Sequence, residues 1–405
     1  MKKFEVPIIY RSPLISAIKN KRRDADKMKK DFEPTLLDMG DLQIYLARHF
    51  GFCYGVENAI DIAFKTVKEN PGKRIFLLSE MIHNPQVNAD LIASGITFLQ
   101  DTKGKQLIPF ESLSAEDIVL IPAFGTTLEI EEILNKKGIP TEKYNTTCPF
   151  VEKVWNRSEA IAAKNFTIVI HGKPGHEETR ATFSHAAANG PALVVKDMNE
   201  AIQLGKYIKK EISLPNFYTE FAGQFSNGFN PETDLTRIGV VNQTTMLASD
   251  TQAIADYLRN VITQRDGKDD NAADTRDTLC YATNDNQTAV AGLLNTTADL
   301  AIIVGGYNSS NTSHLVELCE EKLPTYFINN ADKIESAELI RHYDLHQQKE
   351  VITEGFLTPT RPLRILITSG ASCPDALVEG VIEKLHQLMD VKIPFEELVK
   401  KFEQQ

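Results

Sequence analysis

No stretch of this 405-residue chain stays apolar for the roughly 20 residues a helix needs to cross a bilayer. The start of the chain also lacks the apolar core of a secretory signal, so a cytoplasmic location and no membrane partner are expected. Close cysteine pairs are missing too: the five cysteines include no C-x₂₋₄-C arrangement, the usual mark of a structural zinc site. In a reducing compartment, thiols spaced this widely read as ligands or catalytic groups rather than disulfides. Neither G-x-x-x-x-G-K-[ST] nor G-x-G-x-x-G occurs, which removes P-loop and Rossmann nucleotide sites. Basic excess is absent as well. With 44 Lys and Arg against 55 Asp and Glu, the formal net charge is −11, whereas a nucleic-acid binder presents a basic face.

What is present is organised around Tyr144–Val154, Y-N-T-T-C-P-F-V-E-K-V. A short polar strand end runs into Cys148, Pro149 takes a first-turn position, and a helical pattern through Val151, Val154 and Ile161 follows. A thiol at a helix N-terminus faces open N–H groups and the positive end of the dipole, which favour the thiolate. The same layout surrounds Cys53, in Gly51-Phe52-Cys53-Tyr54-Gly55, and Cys280, in Asp277-Thr278-Leu279-Cys280. Three strand-Cys-helix units about a hundred residues apart suggest an internal threefold repeat whose thiols converge on one point.

From Leu42 onward, strand and helix patterns alternate, the signature of parallel α/β structure. Nine strand-loop-helix units are expected, with strands at 44–47, 74–78, 118–121, 143–144, 166–170, 238–241, 278–279, 300–304 and 364–367. Three per cysteine gives three similar small α/β domains, at 42–142, 143–275 and 276–380. An aromatic, Asn- and Gly-rich insertion at 214–234 interrupts the second domain, with its own small apolar contact expected. Residues 381–405 form a C-terminal tail expected to pack by Phe395, Leu398 and Phe402. Residues 1–41 form a basic extension: Met1–Lys30 holds ten Lys and Arg against three Asp and Glu. Its plain reading is a solvated, partly mobile arm; docking of an acidic partner is the alternative.

In an open parallel sheet, ligands bind beyond the carboxyl ends of the strands. Those loops carry His83, Phe124, His171, His176 with Glu178, Gln243-Thr244-Thr245, Asn308-Ser309-Ser310-Asn311 and Ser369-Gly370-Ala371-Ser372. Singly, each has a structural reading: Ser, Thr and Asn cap helices, and a loop histidine bonds backbone. Together, helix N-termini with hydroxyl, amide and imidazole donors make an anion site, and the anion expected is a small phosphorylated metabolite. For the thiols two occupants stay open. Zinc takes Cys₃His; a cubane [4Fe–4S] cluster on three thiolates keeps one iron without a protein ligand, a Lewis acid that can also donate electrons. Cys319 reads as a core thiol and Cys373 is uncommitted.

These residues in this order resemble the 4-hydroxy-3-methylbut-2-enyl diphosphate reductase family, the last enzymes of the methylerythritol phosphate route to isoprenoids. The resemblance rests on G-F-C-x-G-V, I-H-N, T-T-C-P, H-x-E, N-Q-T-T, N-S-S-N and G-A-S-x-P-D, and spans Leu46 to Asp375. It implies a cloverleaf of three α/β domains around a central [4Fe–4S] cluster, which would fall to [3Fe–4S] after exposure to air. It also implies removal of an allylic hydroxyl by two electrons and two protons, with ferredoxin or flavodoxin as electron donor. Carried over, Cys53, Cys148 and Cys280 match the cluster ligands and Glu178 the proton-delivering carboxylate. Thr244 matches the hydroxyl that holds the substrate alcohol or relays that proton. His83, His176, Ser309, Ser310, Asn311 and Ser372 match groups surrounding the substrate, mostly at its diphosphate. One departure is Phe124, where shorter members have a diphosphate-contacting histidine. The longer plant and cyanobacterial branch is similar to this chain in that Phe, in the N-terminal extension and in the insertion, and Thr126 or Thr127 are the expected replacements. A cluster-bearing sensor without turnover and a zinc enzyme are the competing readings.

Overall fold

The computed structural model describes residues 4–28, 30–273 and 278–403. Lys29, Asp277 and the expected boundary at 275–276 lie outside the described residues. Runs rich in Ile, Val and Leu form strands buried on both faces, as parallel strands under covering helices must be. Leu300–Val304 and Thr167–His171 are buried at every position. Five strands form one sheet in the order Thr35–Asp38, Leu42–Leu46, Leu363–Ser369, Leu300–Val304, Thr325–Ile328. Its first pair is antiparallel and the remaining pairs are parallel. Two three-stranded parallel sheets follow the orders Ile96–Phe98, Ile75–Leu77, Ile118–Leu120 and Ala192–Val195, Thr167–His171, Ile238–Asn242. An antiparallel hairpin joins Leu339–Asp344 to Lys349–Glu354. The α/β class with small parallel sheets is the one the sequence predicts. Among the described residues, no helix is long and apolar enough to cross a membrane.

Two of the nine expected strands are not strands. Lys143 and Tyr144 lie in a 3₁₀ turn, Glu142–Tyr144, followed by a single parallel bridge from Asn145 to Ile121. The Asn145 Oδ1 accepts from the Thr147 backbone N at 2.8 Å and its Oγ1 at 2.5 Å, so side chains there replace a ladder. Thr278 likewise offers its Oγ1 to the Asn242 N at 2.7 Å, and its segment forms no strand. The strand at Leu42–Leu46, expected to open the first domain, pairs with Leu363–Ser369 in the five-stranded sheet.

The chain forms two compact units: Met1–Glu57 with His83–Val87 and Tyr281–Gln405, and Asn58–Ile82 with Asn88–Cys280. In the first, the N-terminal extension is not a solvated arm. Its helix, Pro13–Ala25, is capped by Ser12 and buries Leu14, Ile15 and Ile18 in the core of the five-stranded sheet. Apolar residues at spacings of three and four outweigh the flanking charge here. The helix Asp375–Leu388 runs through the expected start of the tail at 381, and Phe395, Leu398 and Phe402 pack against the same core. In the second unit, the insertion contributes Phe217, Phe221 and Phe229 to the core beneath Ile238–Asn242, with Phe217 stacked on Phe229 at 5.4 Å.

Candidate active site

In the second unit, the chain turns at Asn145-Thr146-Thr147 and enters the helix Pro149–Ala162 with Cys148 as N-cap residue. Proline at the first position suits this start because the N–H it lacks would have no helical partner. The thiol does not follow the helix dipole. Burial pushes it up, the N–H groups of Phe150 and Val151 pull it down, and the neighbouring Cys280 thiol and Glu178 carboxylate raise it, to about 11. Desolvation of the charged form opposes the helix end here. The Cys280 thiol and the Glu178 carboxylate are thus near enough to act on Cys148.

Glu178 stands in the first turn of the helix Glu177–Ala187, capped by His176, and is 1% exposed. The Thr244 backbone N donates to its Oε1 at 2.5 Å, and the Thr244 Oγ1 to its Oε2 at 2.9 Å. The Thr244 carbonyl accepts from the Cys280 N at 3.2 Å. One residue of the N-Q-T-T turn therefore fixes both the carboxylate and the backbone that presents a second cysteine. His176 accepts from the Glu178 N at its Nδ1 at 3.2 Å, so the neutral ring carries its proton on Nε2. Phe124 meets that ring edge-on at 5.5 Å, taking the role of a packing partner rather than a donor. Thr126 is buried and the Thr127 hydroxyl bonds the Glu129 carboxylate. His171, also at a strand end, is engaged by Thr251 at 3.2 Å.

Gln243, which the sequence reading names only as part of its loop, holds a structural place there. It is fully buried; its Oε1 accepts from the Lys173 N at 3.1 Å and the Thr179 Oγ1 at 3.0 Å, and its Nε2 donates to Thr245 at 2.7 Å. It ties the turn bearing Thr244 to the helix bearing Glu178. A polar residue between two of the same kind in a strand-end turn was the available signal. Gln243→Ala leaves the buried Thr179 hydroxyl and the partly buried Lys173 N–H without this acceptor, and thermal unfolding is expected to show a loss of about 1–3 kcal/mol. A variant as stable as the parent would remove this role.

In the first unit, Cys53 is half-buried directly before the helix Tyr54–Glu69. Its backbone N donates to the Ala371 carbonyl at 3.1 Å. The N-terminal extension brackets it: Tyr10 meets Phe52 edge-on at 5.8 Å, and Phe4 meets Tyr54 at 5.0 Å. Gly51 suits the position beside it, because its φ of +80° is one that L side chains rarely adopt. The Ser372 Oγ donates to the His83 carbonyl at 3.2 Å, and a side chain at Gly306 would strike that same carbonyl. Ser309 caps the helix Ser310–Glu320, its Oγ accepting from the Thr312 N at 3.3 Å. The Asn311 Oδ1 accepts from the Ala371 N at 2.9 Å and the Asn286 Nδ2 at 3.3 Å. His83, Ser309, Ser310, Asn311 and Ser372 are all buried, and this unit brings their segments together through those bonds. Ser309 and Asn311 thus have the capping and bridging roles their residue types permit, whatever else they bind. Cys319 and Cys373 lie wholly inside the hydrophobic core.

A family profile described as LytB protein matches residues 44–386. The chain is 42% identical over 354 residues to the 4-hydroxy-3-methylbut-2-enyl diphosphate reductase of Synechococcus sp. (strain RCC307), covering 87% of this chain and 85% of that protein. It is 38% identical over 382 residues to the Gloeobacter violaceus protein of the same name, covering 90% of each. A solved structure of (E)-4-hydroxy-3-methyl-but-2-enyl diphosphate reductase, the terminal enzyme of the non-mevalonate pathway, is similar at TM-score 0.51 and 25% identity, over 85% of this chain and 99% of that one. The Plasmodium falciparum E-1-hydroxy-2-methyl-but-2-enyl-4-diphosphate reductase shares the fold at TM-score 0.62 and 24% identity, over 85% of this chain and 87% of that one. The profile begins in the strand before Cys53 and ends beyond Ser372, taking in the three candidate cysteines, Glu178, Thr244 and the candidate diphosphate donors; the chain belongs to the LytB family.

Proposed function

We propose that this protein is an oxidoreductase that removes the allylic hydroxyl of 4-hydroxy-3-methylbut-2-enyl diphosphate. Two electrons and two protons release that hydroxyl as water and leave isopentenyl and dimethylallyl diphosphates, the last step of the methylerythritol phosphate route. The observation that carries the reading is the buried Glu178 carboxylate, held by the Thr244 N–H and hydroxyl beside the Cys148 and Cys280 thiols. The names of the relatives point the same way.

The donor set fits an iron–sulfur cluster. Cys53, Cys148 and Cys280 each directly precede a helix, and no cysteine among the described residues is in a disulfide. Cysteine thiolates are the soft ligands that iron–sulfur centres take. A [4Fe–4S] cluster on these three residues, one iron lacking a protein ligand, would relay the two electrons one at a time. Reduced ferredoxin or flavodoxin would replenish them, in the cytoplasm.

The chain's own groups do the rest. Glu178 holds a proton at one carboxyl oxygen and delivers it to the substrate hydroxyl, the task of a general acid within hydrogen-bond reach. Thr244 orients that carboxyl through two bonds and either holds the alcohol or relays the proton. His176 offers its Nε2–H to the diphosphate; His83, Ser309, Ser310, Asn311 and Ser372 supply further donors. Phe124 keeps the His176 ring in place where another donor would stand. Burial of these groups keeps bulk water away from the transferred proton.

The test is anaerobic purification with metal and sulfide analysis and an absorption spectrum taken before and after adding the hydroxylated diphosphate. A brown protein with about four irons per chain, whose spectrum responds to that substrate, is expected. A colourless zinc-loaded protein from a host with working cluster assembly would overturn the reading.

A further inference from the structure

The protein carries a net charge of −11, yet four cationic side chains line one cavity of the first unit. Lys19 and Arg23 on the helix Pro13–Ala25, and Lys27 just beyond its end, recur every four residues. On the helix that spacing puts Lys19 and Arg23 on one side, about 6 Å apart; Lys27 lies past Asp26, where the helix has ended, and lines the same cavity. Together with Arg48 and Cys53, they line a cavity of about 550 Å³. Arg48 is 8% exposed, and its buried Nε has no hydrogen-bond partner among the described residues. Asp24 and Asp285 are the acidic members of the lining. Lys19 is committed to Asp375 at 2.7 Å, while Arg23 and Lys27 are exposed. The ion pair of Arg23 with Asp24 is long, 3.6 Å, and open to water, so it neutralises little.

A small anion would be met by donors converging on one point. Cations spread along a helix match an acidic protein surface instead, raising its rate of encounter and fixing its orientation. The half-buried Cys53 beside them marks where such a partner comes nearest to a thiol of the proposed cluster. Electron transfer weakens steeply with distance, so a reductant has to dock at such a place. We propose that an acidic one-electron carrier protein, of the low-potential iron–sulfur or flavin class, docks on Lys19, Arg23 and Lys27 and passes electrons inward past Cys53. This rests on the reductase reading. Each docking oxidises one carrier by one electron, and two dockings serve one dehydroxylation. The N-terminal extension is then both the brace of the Cys53 loop and the landing face.

The experiment compares the full-length holoenzyme with an Arg23→Glu/Lys27→Glu double variant. Turnover is measured with a reduced acidic plant-type ferredoxin at low and high salt, and with dithionite-reduced methyl viologen. Calorimetry reads the binding of oxidised ferredoxin directly. At low salt, the double variant should show at least a tenfold rise in ferredoxin Kd and KM and a flatter salt dependence. Viologen turnover and the absorption spectrum should stay as in the parent. Unchanged ferredoxin Kd and KM would overturn the docking face, as would equal losses with both donors. A parent chain inactive with both donors would overturn the reductase reading, and the calorimetric comparison would still decide the docking.

Discussion

Glu178→Gln is expected to cut turnover with a viologen donor by about 10²–10⁴-fold, the usual contribution of a positioned general acid. The amide keeps the shape of the carboxyl and can still accept the 2.5 Å bond from the Thr244 N. The Thr244 hydroxyl, now facing an NH₂ group, can turn from donor to acceptor. What the amide cannot do is hold and release a proton at that oxygen. Iron content, absorption spectrum and substrate affinity should therefore stay near those of the parent, which places the loss in the chemical step. Steady-state kinetics beside a spectroscopic substrate titration measures both halves. Near-parental turnover would remove Glu178 from the proton-donor role.

The other large effect is expected at the thiols. Cys148→Ser should purify with little iron and no measurable reductase activity, because a hydroxyl is a poor ligand for the metals that thiolates hold. Loss of structure is not an adequate alternative explanation here. Cys148 is the N-cap of Pro149–Ala162, and serine is among the best N-cap residues, so that helix should be retained or strengthened. Circular dichroism unchanged from the parent, alongside the lost brown colour, is the expected pair of results. Cys319→Ala supplies the contrast. That thiol lies in the core, far up in pKa through burial, to about 12, and its removal should lower stability while iron is retained. Full iron in Cys148→Ser would exclude it as a ligand.

Much of this protein was legible in the residues. The order of Cys53, Cys148 and Cys280, each before a helical pattern, and the H-x-E and N-Q-T-T signatures sufficed for the family and the candidate residues. Local chemistry explains this: strand periodicity, Pro at a first helical turn and hydroxyl-rich strand ends all act within a few residues. The strands at 143–144 and 278–279 failed for the opposite reason. There the backbone's partners are the Asn145 and Thr278 side chains, and a strand pattern does not reveal such competition.

The sequence by itself determined the α/β class and set three cysteines before helical patterns with Glu178 as a candidate acid, because residue type and short-range spacing carry that information. Tertiary structure decided the rest. It turned a basic extension into a packed helix bracing Cys53, since only the assembled core of the five-stranded sheet gives Leu14, Ile15 and Ile18 something to bury against. It also set Cys148 against its own helix dipole. Burial and the approach of Cys280 and Glu178 are long-range consequences of folding, and they oppose the pull of two backbone N–H groups on that thiol.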